Sequence, residues 1–113
     1  MMIRFEEVLA EHISQPLNIP ELSELTGASE RVLRSCCAQF LGITPSRYVL
    51  LRRLKLVRIA LREADPDAAN IAELARRYGF AELGRFTTTY QAAFGETPST
   101  TLRRGSDPRF ARL

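Results

Sequence analysis

The side chains of this sequence that are best suited to chemistry are arginines. Of 16 basic residues 15 are arginine, whose planar guanidinium forms paired hydrogen bonds with phosphate and with guanine. Residues 31–64 hold eight basic residues against Glu63 alone, a balance of +7, and residues 3–30 hold six glutamates against Arg4, a balance of −5. This segregation predicts a basic surface for a polyanion such as nucleic acid. A GC-rich genome also favours arginine codons, so composition alone leaves the ligand open.

Residue types that serve catalysis or metal binding are scarce. The chain has one histidine, His12, and two cysteines, the adjacent Cys36 and Cys37. Adjacent cysteines rarely bridge each other, and both fall on an apolar stripe, so we expect core thiols without a redox or metal function. The sequence offers no nucleophile–base pair and no glycine-rich phosphate loop. We therefore expect no enzyme, no cofactor and no metal.

Length and hydropathy set further bounds. A chain of 113 residues has room for one domain with at most two small subdomains. No apolar run approaches the ~20 residues of a membrane span, and the first residues lack the apolar segment of a signal peptide. These features predict a cytoplasmic protein.

The sequence contains an internal duplication. Residues 18–22 (NIPEL) recur as residues 70–74 (NIAEL) at an offset of 52. Farther on, residues 42–46 (GITPS) recur as residues 95–99 (GETPS) at an offset of 53. Two matches in the same order and nearly the same register indicate a duplicated module with one inserted residue.

Each copy has the start and stop signals of a helix-turn-helix. The pattern Asn-x-x-Glu at residues 18–21 and 70–73 is an N-cap with its capping-box glutamate, so a helix starts after each asparagine. A glycine ends each helix after about two turns, Gly27 in the first copy and Gly79 in the second. Ser29 is suited to cap the helix that follows. A short helix, a glycine turn and a second helix form a helix-turn-helix.

The second helix of each copy carries an apolar stripe at helical spacing. In the first copy the helix stops at Gly42, and its stripe consists of Val32, Leu33, Cys36, Cys37 and Phe40. In the second copy it stops at Gly95, and its stripe consists of Phe86, Tyr90, Ala93 and Phe94. We expect these side chains to be buried.

Three further helices are expected. An amphipathic helix spans residues 3–14 and is closed by Pro16, with the inward side chains Phe5, Val8, Leu9, His12 and Ile13. Thr44 and Pro45 open a long helix, which offers for burial Tyr48, Leu51, Leu54, Val57, Ile59 and Leu61. Thr97 and Pro98 open a short last helix. No segment alternates with the period of a strand, so the sequence predicts an all-α fold.

These elements divide the chain into four parts. We expect a first helix-turn-helix subdomain at residues 3–44, a joining helix at residues 45–64, a second subdomain at residues 65–104 and a flexible tail at residues 105–113. Asp65-Pro66-Asp67 breaks the joining helix and separates the two modules.

Several patterns in the chain resemble those of one known family. The first module reads LSxxxGxSxxxL at residues 22–33. The second reads AxxAxxxGF at residues 72–80 and FxxxYxxxxGxTP at residues 86–98, and the helix between them reads RLxxxRxAL at residues 53–61. Together, over about residues 5–104, they resemble the carboxy-terminal DNA-binding domain of AraC/XylS-type transcriptional regulators. Two helix-turn-helices with this spacer and the Gly-x-Thr-Pro ending are a specific combination.

The resemblance implies a fold and a partner. It implies seven helices in two homeodomain-like subdomains that bind double-stranded DNA in the bacterial nucleoid. Recognition helices at about residues 29–41 and 82–94 would enter adjacent major grooves, with the joining helix setting their separation near one DNA turn. Members usually activate transcription, and RNA polymerase is the partner suggested for the acidic amino-terminal part. In most members of the family this domain follows an effector-binding or dimerising domain. The chain therefore resembles the carboxy-terminal half of a longer regulator, or alternatively one of the short free-standing members.

Matching residue by residue, the resemblance and the charge pattern give two sets of DNA contacts. The base-contacting candidates are Arg31, Arg34, Ser35, Leu83, Gly84 and Thr88. The phosphate-contacting candidates are Arg47, Arg53, Arg85, Thr87, Asn18 and Asn70. Arg34 is the foremost base reader, because it can bond O6 and N7 of guanine. The second module offers fewer hydrogen-bonding side chains, so we expect the first to dominate base reading.

A second interpretation of the basic residues is a helical adaptor. Its arginine-rich helix at residues 45–64 would bind an acidic protein or an anionic membrane surface. The paired Asn-x-x-Glu…Gly…Ser arrangement discriminates between the two interpretations, because docking into a DNA groove needs it and an adaptor does not. The sequence therefore favours DNA and no membrane partner.

Overall fold

The computed structural model describes residues 2–12 and 17–105, and within these ranges all regular secondary structure is helical. The seven helices found there are α1 (Met2–Glu11), α2 (Ile19–Thr26), α3 (Glu30–Leu41), α4 (Pro45–Glu63), α5 (Ile71–Arg77), α6 (Leu83–Phe94) and α7 (Pro98–Gly105). The predicted all-α fold is confirmed. Ile13, Pro16 and residues 106–113 of the expected tail lie outside the described residues, while Gly105 is the last residue of α7.

The chain divides into two compact units. We name residues 1–52 the amino-terminal unit and residues 53–113 the carboxy-terminal unit. Their boundary falls inside α4, so each unit contains part of that helix. The division into functional parts at residues 3–44, 45–64 and 65–104 stays a prediction.

The amino-terminal unit has its own apolar core, formed by α1, α2, α3, the start of α4 and Leu17. Its buried residues are Phe5, Val8, Leu9, Leu17, Leu22, Leu33, Cys37 and Val49. Fully burying one such side chain contributes about 1.5–3 kcal/mol. Because α3 contributes Leu33 and Cys37, the core fixes which face of α3 is turned outward.

A polar contact joins α1 to α4 within the amino-terminal unit. The Tyr48 hydroxyl donates to one oxygen of the Glu6 carboxylate, and Nε of Arg52 donates to the other oxygen at 3.1 Å. Burial, and after it the bond to Glu6, raises the pKa of Tyr48 to about 12. The phenol therefore remains a neutral donor at physiological pH, and the bond to α1 persists there.

Some residues of the predicted stripes lie outside the cores. Val32 is 43% exposed and Phe40 is 64% exposed, so the prediction that both are buried is wrong. The buried side of α3 is the one with Leu33 and Cys37, and Val32 and Phe40 lie beside it. On α4, Ile59 is exposed for the same kind of reason, since the buried face of that part of the helix is the one with Val57.

His12 lies in the turn that follows α1. Its ring is half-buried, and its Nδ1 lies 2.8 Å from the carbonyl oxygen of Val8. Since a carbonyl oxygen only accepts, Nδ1 carries the proton in this contact. The histidine therefore packs, as predicted, and also forms a hydrogen bond. The prediction that the first helix includes residue 12 is wrong, because α1 ends at Glu11.

The carboxy-terminal unit is centred on a row of aromatic rings. The centroids of neighbouring rings are 4.9 Å apart for Phe80 and Phe86, 5.6 Å for Phe86 and Tyr90, and 4.8 Å for Tyr90 and Phe94. The hydroxyls of Tyr90 and Thr101 lie 2.7 Å apart, which ties α6 to α7. Burial raises the pKa of Tyr90, so this hydroxyl also stays protonated.

Candidate nucleic-acid interface

In the α2–α3 module, polar side chains cap the start of each helix and a glycine forms the turn between them. The Asn18 side chain accepts from the backbone N–H of Glu21 at 2.9 Å, and the Glu21 carboxylate accepts from the backbone N–H of Asn18. Gly27 ends α2 at φ +74°, a left-handed conformation that favours glycine. Ser29 then caps α3, because its Oγ accepts from the N–H of Val32 at 3.1 Å. The predicted cap, turn and second cap are thus confirmed in this copy.

Helix α3 exposes a polar face opposite its buried side. Arg31, Arg34 and Ser35 are exposed, while Leu33 and Cys37 are buried. The structure therefore brings the three base-contacting candidates of the first module together on one surface. In helix-turn-helix proteins the amino-terminal residues of the recognition helix contact base edges, and the three candidates lie in the first half of α3.

An ion pair links two residues on the first turns of α3. The Arg34 guanidinium donates to Oε1 of Glu30 at 3.3 Å, and the side chains are 58% and 43% exposed. A guanidinium has five N–H donors, so one bond to a carboxylate leaves most of them for a ligand. Arg34 is thus held near the start of α3 without losing its capacity to bond a base.

The α5–α6 module has the same plan with different groups at its turn. Asn70 caps α5 by accepting from the N–H of Glu73 at 3.0 Å, as predicted. Helix α5 ends earlier than predicted, because Tyr78 is its C-cap, and Gly79 follows in the left-handed region at φ +92°. The prediction that Gly79 itself ends the helix is therefore off by one residue.

The cap of α6 is a glutamate. The two carboxylate oxygens of Glu82 accept from the N–H groups of Gly84 at 2.9 Å and Arg85 at 2.7 Å. A Cβ added at Gly84 would lie 3.1 Å from Oε1 of Glu82, tighter than ordinary van der Waals contact. The absence of a side chain at Gly84 therefore lets the carboxylate fold back onto the helix start. Sequence reasoning missed this cap, although the offset of 53 places Glu82 opposite Ser29.

The exposed surface of α6 is poorer in free donors than that of α3. Leu83, Gly84, Arg85 and Thr88 are exposed and Thr87 is half-buried. The hydroxyls of Thr87 and Thr88 donate to the carbonyls four residues earlier, at 2.9 and 3.2 Å. A hydroxyl has one proton, so a bond from either threonine to phosphate or base requires it to leave the helix carbonyl. Arg85 is the charged donor among these candidates.

The remaining phosphate candidates differ in how accessible they are. Arg47 is exposed in the first turn of α4, where its N–H is capped by Thr44. Asn18 and Asn70 are exposed, and capping uses only their side-chain oxygens, so their amide nitrogens retain donors. Arg53 is 9% exposed, and burial lowers its pKa below the usual range of arginine. Little of this residue is therefore open to a phosphate.

Four exposed arginines in the described part of the carboxy-terminal unit were not among the predicted contacts. They occupy the last turns of two helices and are Arg76, Arg77, Arg103 and Arg104. Arg104 donates to Glu96 at 3.2 Å. Basic side chains at helix ends are common because they complement the negative end of the helix dipole, so their sequence position gave no separate signal for DNA.

The two cysteines are free thiols in different surroundings. Cys36 is half-buried and Cys37 is buried. Burial raises the pKa of Cys37, which disfavours the reactive thiolate. Among the described residues no three His, Cys, Asp or Glu side chains are grouped so that they could hold a metal ion. Within the same residues no helix is both long and apolar enough to cross a membrane.

The chain is similar to several known proteins. A family model described as a helix-turn-helix domain matches residues 22–104. The XylDLEGF operon transcriptional activator of Pseudomonas putida is 36% identical over 101 residues, which are 89% of this chain and 32% of that protein. The chain thus spans about a third of the length of this relative.

The fold is also similar to those of several solved structures. An AraC-type DNA-binding domain protein from Chromobacterium violaceum matches with a TM-score of 0.84 and 26% identity, over 94% of this chain and 92% of that chain. The carboxy-terminal domain of AraT, a response regulator from Geobacillus stearothermophilus, matches with a TM-score of 0.78 and 25% identity, over 88% of this chain and 81% of that one. Together with the duplicated helix-turn-helix, these matches show that the chain belongs to the AraC/XylS family of transcription regulators and carries its DNA-binding domain.

Proposed function

We propose that this domain binds double-stranded DNA sequence-specifically, with α3 and α6 each entering a major groove. One observation carries the proposal, namely the exposed face of α3 that presents Arg31, Arg34 and Ser35 opposite the buried Leu33 and Cys37. Arginine is the side chain best matched to O6 and N7 of guanine, and a recognition helix reads bases with its first turns. The first module is therefore the main reader of sequence.

The second module contributes contacts of a different kind. Leu83 and the Thr88 methyl group are suited to touch the methyl group of thymine, and the backbone at Gly84 can approach a base edge when the Glu82 carboxylate beside it moves aside. Arg85 and Thr87 are its phosphate contacts. This division follows from the hydroxyl bonds within α6, which leave Arg85 as the donor that needs no rearrangement.

Both modules are anchored to the DNA backbone by contacts with its phosphates. Arg47 is the strongest candidate outside the recognition helices, because it is exposed and lies in the basic stretch of residues 31–64. Asn18 and Asn70 lie at helix starts, where backbone amides and the helix dipole favour anions. Arg53 is a secondary candidate because of its burial.

The salt dependence of DNA affinity tests the proposal. If 6–10 phosphates are neutralised, affinity for duplex DNA falls by about 10³–10⁵ between 50 and 200 mM salt. Arg47→Gln is expected to reduce the slope of log affinity against log salt by about 0.9. Arg4→Gln is the matched control, since Arg4 is an exposed arginine of the same unit that pairs with Glu7 on α1. A flat salt response contradicts the proposal and favours the helical adaptor.

The role in transcription is the second part of the proposal. The relatives include a transcriptional activator, so we propose that the regulator to which this domain belongs activates transcription at the bacterial nucleoid. Three exposed acidic residues of the amino-terminal unit, Glu11, Glu21 and Glu24, are its candidate contact with RNA polymerase. An effector-binding or dimerising domain is its candidate regulatory partner. Transcription in vitro from a promoter carrying a selected site is expected to rise on adding the protein, and no rise or a fall contradicts activation.

A further inference from the structure

We propose that Glu30 is a positioning residue that sets the specificity of α3 by controlling what Arg34 binds. The inference rests on the proposed function, since it concerns how the α3 face reads DNA. The observation is the ion pair between Arg34 and Oε1 of Glu30, 3.3 Å long and spanning one turn of the recognition helix. Such an exposed pair adds little to stability, so its position at the reading end of the helix calls for a different role.

The geometry of the pair fits guidance of Arg34. Glu30 is the first residue of α3, directly after the Ser29 cap, and a helix rises about 6 Å over the four residues to Arg34. That distance is close to two base-pair steps, which are about 3.4 Å each. A carboxylate at this point holds the guanidinium along the helix axis, pointing to the base edges that the first turns face.

The negative charge of Glu30 also acts on the DNA itself. Phosphates line both rims of the major groove, and a carboxylate at the start of α3 repels them. Without Glu30, the Arg34 guanidinium is free to swing to a backbone phosphate, which carries no sequence information. Glu30 therefore lowers affinity for random DNA and raises the ratio of specific to random affinity. The residue of α6 that corresponds to Glu30 in the repeat is the apolar Leu83. Of the two modules, the first therefore has a carboxylate at this position and the second does not.

A matched pair of variants tests the inference. Glu30→Gln removes the charge that holds Arg34. Glu7→Gln is the control, because Glu7 forms an equally long and similarly exposed ion pair with Arg4, at 3.3 Å, on α1 of the same unit. Both variants change net charge by the same amount, and thermal unfolding of each verifies that the fold is kept.

Affinities of the domain for its selected duplex and for random duplex are then measured over a salt series. Glu30→Gln is expected to raise affinity for random DNA, to steepen the salt slope by about 0.9, and to lower the specificity ratio by about five- to tenfold, part of the discrimination of one arginine–guanine contact. Glu7→Gln is expected to leave the ratio unchanged. Equal effects of the two variants overturn the inference, because they show a general charge effect. A lower ratio without any gain on random DNA also overturns it.

The Glu30→Gln substitution made in Arg34→Ala protein shows whether Glu30 acts by positioning Arg34 or by contacting DNA itself. In Arg34→Ala protein, Glu30→Gln is expected to leave the specificity ratio unchanged, since the residue it positions is gone. A further drop in that background contradicts positioning and assigns Glu30 a contact of its own. If the wild-type domain prefers no duplex over random DNA, the proposed function itself fails, which is a different result from equal behaviour of the two glutamate variants.

Discussion

The α2–α3 and α5–α6 modules place a carboxylate at the start of their recognition helices, and each carboxylate bonds a different group. In α3 the carboxylate of Glu30 meets the Arg34 side chain, whereas in α6 the carboxylate of Glu82 accepts two backbone N–H groups. The hydroxyls of Thr87 and Thr88 likewise bond the helix itself. In α3 the carboxylate thus bonds a side chain, whereas in α6 the carboxylate and these hydroxyls bond the backbone of the helix. The two copies therefore keep the same helix-turn-helix plan while these groups bond different partners, and this difference is the basis of the proposed division between reading and anchoring.

The largest expected effect is the difference in DNA affinity lost when a base-contacting candidate is removed from α3 or from α6. Arg34→Ala is expected to lose about 1–3 kcal/mol and to relax preference at one base pair, because a bidentate guanine contact is removed. Thr88→Ala is expected to cost less, because it removes only a methyl contact with thymine and a hydroxyl that bonds its own helix. Titrations on the selected duplex and its single-base-pair variants measure both. A loss at one base pair for Thr88→Ala as large as that for Arg34→Ala contradicts the comparison.

The second effect concerns the buried position that the two copies fill differently. Cys37 and Tyr90 correspond at the offset of 53, and both are buried. Cys37→Ser is expected to destabilise by about 1–3 kcal/mol through an unpaired buried hydroxyl. Tyr90→Phe is expected to cost about 1 kcal/mol, because Thr101 loses its hydroxyl partner. Chemical denaturation measures these changes.

Cys36 supplies the control for that pair. Cys36→Ser is expected to leave DNA binding largely intact, since Cys36 is only half-buried. Because burial raises the pKa of Cys37, mild oxidant is expected to leave DNA binding unchanged. Loss of binding under oxidant that Cys36→Ser cures would reveal a redox function and refute this part of the account.

The helix caps give a somewhat smaller effect. Ser29→Ala is expected to destabilise by about 1 kcal/mol, and Glu82→Ala by about 1–2 kcal/mol, since the carboxylate bonds two amides and also faces the positive end of the helix dipole. Glu82→Ser should restore most of that loss. Thermal unfolding measures all three, and an unchanged stability for Glu82→Ala would show that the α6 cap contributes nothing.

The smallest effect tests why α6 has a glycine in its first turn. Alanine is favoured over glycine inside a helix by about 1 kcal/mol. At position 84 that gain is opposed by the 3.1 Å approach of a Cβ to Glu82. Gly84→Ala is therefore expected to stabilise by about 1 kcal/mol in a Glu82→Ser background and by less in the wild type. An equal gain in both backgrounds would rule out crowding of the cap.

Much of the fold follows from short-range signals in the sequence. The caps Asn18, Ser29 and Asn70 are seen where the residue types predict them, because capping depends on side chains within three residues. Burial is less predictable, because periodicity gives the face of a helix but not where its neighbours stop covering it. Phe40 therefore looks like a core residue in sequence and is exposed in the structure.

The candidate site was predictable to a similar extent. The exposed face of α3 follows from helical spacing opposite Leu33 and Cys37, and the structure has it there. Burial of Arg53 could not be foreseen, because arginine is normally exposed and only the packing around α4 covers it. The Glu82 cap was also missed, since glutamate is not a preferred N-cap and only the repeat register points to it. The DNA contacts themselves stay predictions.

Selection of binding sites from random duplex DNA tests the central claim most directly. Sequencing the selected fragments for wild-type protein gives the information content under each recognition helix. The account predicts a higher content in the half-site under residues 29–41 than in the one under residues 82–94, and a loss confined to the former half-site for Arg34→Ala. Equal information in the two half-sites, or a higher content under residues 82–94, would contradict it.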